Sequence, residues 1–205
     1  RMCKEEDEVE KIVAAQRIAE QALEEVLNDI KVGVTEKEIA ARLTYLMLHY
    51  GAENMSFDPI VVSGANSSKP HGVPGEKTIQ AGDFVTMDFG CIYDGYYCSD
   101  MTRTVAVGHV TDEMQTVYDT VLNAQLAGIA ACKAGVTGRD GDAAGRKIIE
   151  AAGYGDAFGH GFGEHLVKGQ GGGPDAMPVQ RRLTDYNLAQ TEAAPRKYMR
   201  AHFGA

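Results

Sequence analysis

Two aspartates twelve positions apart, Asp88 and Asp100, stand in the run Met87-Asp88-Phe89-Gly90-Cys91-Ile92-Tyr93-Asp94-Gly95-Tyr96-Tyr97-Cys98-Ser99-Asp100-Met101-Thr102-Arg103-Thr104. A carboxylate in a sheet is costly unless it is hydrogen-bonded, paired or bound to a cation, so two that converge on adjacent strands would make a cation site. Solvated strand-end aspartates are the competing reading. His71 lies in Pro70-His71-Gly72-Val73-Pro74, where two prolines restrict the backbone that carries the imidazole; a solvated loop histidine is its plain alternative. His160 lies in Phe158-Gly159-His160-Gly161-Phe162-Gly163, whose glycines suit close approach of backbone to a ligand. Arg103 is read as one arm of an ordinary salt bridge.

The elements that must position these residues follow from pattern. From Glu5 to Ile30 apolar residues recur at three- and four-residue steps, which predicts an amphipathic helix. Thr35 with Glu38 three positions on forms a capping box for a second helix, which Gly51 stops. Short β-branched runs at Ile60 to Ser63, Asp83 to Tyr93 and Tyr96 to Val107 then predict antiparallel strands. Thr111 caps a helix reaching about Lys133, and Thr137 opens another that ends near Gly153. The order helix, helix, sheet, helix, helix predicts an α+β fold with helices on an antiparallel sheet.

Asp94-Gly95 is the strongest short hairpin signal in the chain, and a type I′ turn is the expected form. A two-residue turn pairs positions that sum to 189, so Asp88 faces Met101 and the two carboxylates fall on opposite faces. A shared cation therefore requires one residue to be absorbed, by a bulge near Tyr96-Tyr97 or by a longer turn, and we expect that it is.

The chain has 205 residues and a net charge of −9, which disfavours nucleic acid and offers no basic patch for anionic lipid. Its apolar stretches are shorter than the ~20 residues of a membrane span and its first residues are charged, so a cytoplasmic protein without membrane contact is expected. Cys3, Cys91, Cys98 and Cys132 form no CxxC pair and read as reduced structural thiols. After Gly163 periodicity dissolves, glycine accumulates from Gly169 to Pro178, and only Leu183 to Ala194 reads as helical. The segment from Glu164 carries six Lys and Arg against four Asp and Glu, +2, which leaves −11 for Arg1 to Gly163. These shifts predict a domain over 1–163 and a poorly ordered tail over 164–205. The start at Arg1 reads as a chain trimmed from something longer.

From Glu5 to Gly163 the motifs resemble, in order, the creatinase/aminopeptidase superfamily. The wording of Asp88-Phe89-Gly90 and Ser99-Asp100-Met101-Thr102-Arg103-Thr104 is most similar to Xaa-Pro aminopeptidases and prolidases. The resemblance implies the pita-bread fold, a curved antiparallel sheet flanked by helices, and two divalent ions, manganese, cobalt or zinc, held by two Asp, one His and two Glu. It implies Asp88 and Asp100 as the two Asp ligands, and His71 and His160 as groups that bind and orient a short peptide substrate. The family usually spaces its aspartates by eleven. It also places its metal-binding His four residues after the first His of the glycine motif, where this chain has Glu164, with His165 one place late. No later His-Glu or Glu-Pro-Gly segment is found; Glu192 precedes Ala193-Ala194-Pro195. The expectation is a metal-dependent Xaa-Pro aminopeptidase or dipeptidase with part of its ligand set missing and its second half incomplete, leaving open edges that favour a homodimer. The alternatives are a non-catalytic pita-bread module that binds peptides or proteins, and a methionine aminopeptidase.

Overall fold

The computed structural model describes residues 4–133 and 135–159. These fall into two compact units, one over Glu5–Val110 and one opening at Thr111. The expected boundary at Gly163, the tail and the Leu183 to Ala194 helix lie outside the described residues.

In the first unit α1 (Glu6–Val26) and α2 (Glu36–His49) precede β1 (Asn54–Met55), β2 (Ile60–Ser63), β3 (Phe84–Phe89), β4 (Cys91–Tyr93), β5 (Tyr97–Cys98) and β6 (Met101–Ala106). All pairings are antiparallel, in the orders β1-β4-β5 and β2-β3-β6. Because β3 leads through Gly90 into β4, and β5 through Ser99 and Asp100 into β6, the two sets are the halves of one long hairpin. The far half is flanked by β1 and the near half by β2. The α+β architecture is the one expected.

Alternation along β3 decides which face is dry. Val85, Met87 and Phe89 are buried with Cys91 beyond them, whereas Thr86 and Asp88 are half-buried. The dry face packs against Ala15, Ile18, Ala19, Ala22, Leu23 and Val26 of α1 and Ile39, Leu43, Leu46 and Met47 of α2. Burying these side chains is the main stabilising contribution of the unit, at ~25 cal/mol per Å² of apolar surface. The capping box at α2 forms as read: Glu38 N donates to Thr35 Oγ1 over 3.1 Å, and Thr35 N to the Glu38 carboxylate over 2.8 Å. That backbone bond holds the Glu38 carboxyl below its usual value.

The second unit contains α3 (Asp112–Ala131) and α4 (Gly138–Ala151), which pack on each other. The buried residues of the pair are small apart from Ile149: Ala124 and Gly128 on α3, and Gly138, Gly141 and Gly145 on α4. A Cβ on Gly141 would lie 3.5 Å from Cys132 Sγ. Thr111 caps α3 by accepting from Met114 N over 3.2 Å. Thr111→Ala is expected to cost ~1 kcal/mol of stability in urea unfolding; an unchanged midpoint would count against the cap. Among the described residues no helix is long and apolar enough to cross a membrane.

Candidate metal centre

The two-residue turn is corrected by the structure. Tyr93 pairs with Tyr97, so Asp94, Gly95 and Tyr96 form a three-residue connection, with φ +49° at Asp94 and +83° at Gly95. Paired positions sum to 190 on both halves of the hairpin, as in Ile92 with Cys98 and Phe89 with Met101. Packing explains the choice. In the register summing to 189, the dry face of β6 would present Asp100, Thr102 and Thr104 to the helices. In the observed register it presents Met101 and Val105, both buried, with Arg103 half-buried between them, while Tyr96 is left outside the ladder. A one-residue slip inverts every side chain, and the hydrophobic pattern rejects it. The surplus residue is thus absorbed by a longer turn, one of the two expected ways.

The consequence for the aspartates is direct. Asp88 pairs with Thr102, and the same register sets Asp100 opposite Gly90, two residues along the strand from Asp88. Asp88 lies on the face turned away from α1 and α2, and the alternation, continued past the end of the ladder to Asp100, assigns it the same parity. Thr102 Oγ1 donates to Asp88 Oδ1 over 2.8 Å, and the next pair on this face, Thr86 and Thr104, shares a hydroxyl hydrogen bond of 3.1 Å. Asp100 is exposed. Arg103 donates to the Thr102 carbonyl over 2.8 Å.

Gly90 sits at the centre of this arrangement. Ser56, which extends β1, donates its N–H to the Gly90 carbonyl over 3.1 Å and its hydroxyl to the Ser99 carbonyl over 2.9 Å. On the other side Ser99 N donates to the Cys91 carbonyl over 2.9 Å and Cys91 N to Ser99 Oγ over 3.0 Å. Ser99 is buried, so its hydroxyl and carbonyl are both satisfied at the break between β5 and β6. Ser99, just before Asp100, is held by three of these bonds, and the fourth ties Ser56 to Gly90.

His71 is exposed, and its loop is anchored on the aspartate face. A Cβ on Gly72 would lie 2.6 Å from Val62 Cγ1, and Val62 pairs with Thr86, two positions from Asp88. The imidazole is thus carried by a segment pressed on the face that holds the carboxylates. His160, Glu164 and His165 lie outside the described residues; the structure describes the approach as far as Gly159. There Arg146, held to Asp142 by two bonds of 2.6 and 3.0 Å, donates to the Phe158 carbonyl over 3.1 Å and covers the Phe158 ring at 4.7 Å.

Among the described residues no three His, Cys, Asp or Glu side chains gather closely enough to hold a metal ion. The two aspartates nevertheless suit a hard divalent cation: they are carboxylates on one face, one of them held by a hydroxyl donor, and no side chain intervenes at Gly90. Burial pushes the Cys91 and Cys132 thiols up, which keeps them protonated and inert. Sequence reading passed over Thr102, Ser99 and Ser56. Only Thr102 carried a usable signal, since the 190 register puts it directly across from Asp88.

Residues 10–177 match the profile of metallopeptidase family M24. The chain is 46% identical over 166 residues to an uncharacterized peptidase of Bacillus subtilis, an alignment covering 81% of this chain and 47% of the relative. It is 41% identical over 163 residues to the Xaa-Pro dipeptidase of Pyrococcus furiosus, covering 80% and 47%. Among solved structures, an Xaa-Pro dipeptidase from Bacillus anthracis superposes with a TM-score of 0.76 at 48% identity, covering 78% of this chain and 45% of that one. The X-Pro aminopeptidase of Thermotoga maritima gives 0.74 at 46% identity, covering 76% and 44%. The chain spans about half the length of the curated relatives it matches.

Proposed function

The chain belongs to metallopeptidase family M24, with the pita-bread fold, and on that premise we propose that it carries the aspartate half of a divalent-metal centre for hydrolysis of N-terminal peptide bonds next to proline. The observation that supports this reading is the 190 register, whose continuation to Gly90 and Asp100 gives the two aspartates the same parity. Asp88 and Asp100 would hold the metal, with manganese, cobalt or zinc as the candidates and two ions as the full complement. Thr102, bonded to Asp88 Oδ1, fixes how that carboxylate presents its other oxygen. When bound, the divalent ions supply Lewis acidity for the scissile carbonyl and bring a water closer to ionisation at neutral pH. His71 and His160 are assigned to the peptide, as donors that orient it and steady charge developing on the carbonyl oxygen. The Xaa-Pro dipeptidase and X-Pro aminopeptidase names of the relatives favour a short peptide with proline after the scissile bond. A cytoplasmic setting, the absence of membrane or nucleic-acid partners and a homodimer belong to the same proposal; the net charge of −9 disfavours a polyanion.

A second reading, a non-catalytic module that binds peptides, is favoured by Glu164 standing where the family has its metal-binding His. Purified full chain supplied with Mn²⁺, Co²⁺ or Zn²⁺ separates the two. Cleavage of an Xaa-Pro dipeptide, stopped by chelator, supports the hydrolase; cooperative folding and peptide binding without a stoichiometric ion supports the module. Faster cleavage of Met-Ala than of Xaa-Pro would move the specificity to methionine. Thr102→Val should weaken metal binding by ~10- to 100-fold in titration calorimetry, the usual effect of removing a hydrogen bond behind a ligand. Unchanged affinity would remove Thr102 from the site.

A further inference from the structure

Glu36 is the most buried charged side chain among the described residues, 1% exposed, yet it stands in the first turn of α2, a position normally solvated. Its carboxylate is fully engaged, and its donors come from separate stretches of chain. Oε1 accepts from Ser63 N over 2.7 Å, from Ser63 Oγ over 2.9 Å and from Asn66 Nδ2 over 3.2 Å. Oε2 accepts from Gly75 N over 3.3 Å. Lys77 Nζ donates to Ser63 Oγ over 2.7 Å and pairs with Asp83 over 2.9 Å, so a cation stands one hydroxyl away. One side chain thus ties the end of β2, the turn after it and the far end of the Pro70-Pro74 loop to a helix terminus. A buried carboxylate of this kind is retained at a desolvation cost, and its bonds, with the backbone bond of 3.1 Å from Lys37 N to the Gly75 carbonyl, define the path of residues 63–75. That path carries His71, and with it Val73, which is 85% exposed.

We propose that Glu36 is a positioning residue for the His71 loop: through its bonds to Ser63, Asn66 and Gly75 it sets where His71 is presented over the Asp88 face. The proposal rests on the assignment of His71 and the aspartates to one site, and it adds a residue that touches neither substrate nor metal. Its two oxygens have separable duties. In Glu36→Gln the remaining carbonyl oxygen can serve Ser63 and Asn66, while the amide turns an N–H₂ donor toward the Gly75 N–H. The bond to the loop is lost and the bond to the strand is kept.

The test is nuclear magnetic resonance of the full chain, following the Gly75 amide and the His71 imidazole. Glu36→Gln should speed exchange of the Gly75 amide by about ten- to a hundredfold, the factor expected for loss of a charge-assisted hydrogen bond, with the β3 amides unchanged. The His71 imidazole resonances should shift, while those of His49 and His109 stay in place. Titrating Mn²⁺ into the unsubstituted protein tests the underlying site separately: selective broadening of His71 marks an ion on the Asp88 face. Failure of that arm alone sinks the metal reading and leaves the positioning role measured by Gly75. A folded Glu36→Gln protein with unaltered Gly75 exchange and unmoved His71 signals overturns the proposal. Should the variant not fold, the unsubstituted protein decides: a Gly75 amide protected like those of β3 supports it, and one exchanging as fast as Val73 overturns it.

Discussion

Gly90→Ala is expected to unfold the hairpin or to destabilise it by on the order of 3 kcal/mol or more, the upper end of what overpacking costs. A Cβ at this position would lie 2.0 Å from the Ser99 carbonyl oxygen and 2.6 Å from Ser56 Oγ. Neither can swing aside cheaply. The Ser99 carbonyl is backbone, and its residue is fixed by two bonds to Cys91, while Ser56 is tied to the Gly90 carbonyl by its own N–H. Relief requires separating the β5–β6 arm of the hairpin from the β3–β4 arm at Ser99 and Asp100. Stability and the metal site should therefore fail together. Urea unfolding followed by circular dichroism gives the first quantity and Mn²⁺ affinity the second. By contrast Gly95→Ala, where nothing lies within 4 Å, meets only the strain of a φ of +83° and should cost about 1 kcal/mol. A Gly90→Ala protein as stable as Gly95→Ala would show that the close approach of Ser99 is not a fixed feature of the hairpin.

The same hairpin shows which parts of the molecule were legible from sequence. Thr35, Thr111 and Thr137 announce their helices because a cap is local chemistry, a hydroxyl meeting an N–H three residues away, and all three form as read. The strand alternation of Val85, Met87 and Phe89 is equally local. Register is not local. Asp94-Gly95 fits a two-residue turn, and the turn alone gives the wrong pairing; Met101 and Val105 correct it, because their burial against the helices outweighs the preference of a dipeptide. The family spacing supplied the warning that one residue was surplus, and the longer turn is its resolution. The site divides the same way. His71 was visible through its flanking prolines and Asp88 and Asp100 through their strands, whereas Thr102, Ser99 and Ser56 matter only through partners across the sheet. Glu36 is the sharpest case. An acid in the first turn of a helix normally reads as a solvated partner of the helix dipole, and nothing in its neighbours predicts that Ser63 and Gly75 converge on it. The break between compact units at Val110 also escapes a reading of pattern, because the chain passes from β6 to α3 through an ordinary cap.

On the proposed site, Asp88→Ala is expected to reduce divalent-metal affinity by more than ~100-fold while leaving the fold intact, since it would remove a ligand outright where a supporting residue costs 10- to 100-fold. The stability half of this expectation follows from position. Asp88 is half-buried on the face away from the helices, and Thr102, which bonds it, is itself exposed and can turn its hydroxyl to water. Only about 1 kcal/mol of net hydrogen-bond stabilisation is at stake in the apoprotein. Relief of repulsion from Asp100 acts in the opposite sense, so the metal-free variant should melt close to its parent. With metal the two proteins must diverge. An ion that binds only the folded state raises stability by RT ln(1 + [L]/Kd), about 2.7 kcal/mol at a hundred times Kd, and a variant whose Kd has risen a hundredfold gains only about 0.4 kcal/mol at the same concentration. Thermal unfolding with and without Mn²⁺ therefore reads the site without any assay of hydrolysis. A parent that gains nothing from Mn²⁺, Co²⁺ or Zn²⁺ would leave the shared face of Asp88 and Asp100 a matter of packing alone. Equal gains in the parent and in Asp88→Ala would place the metal elsewhere in the chain.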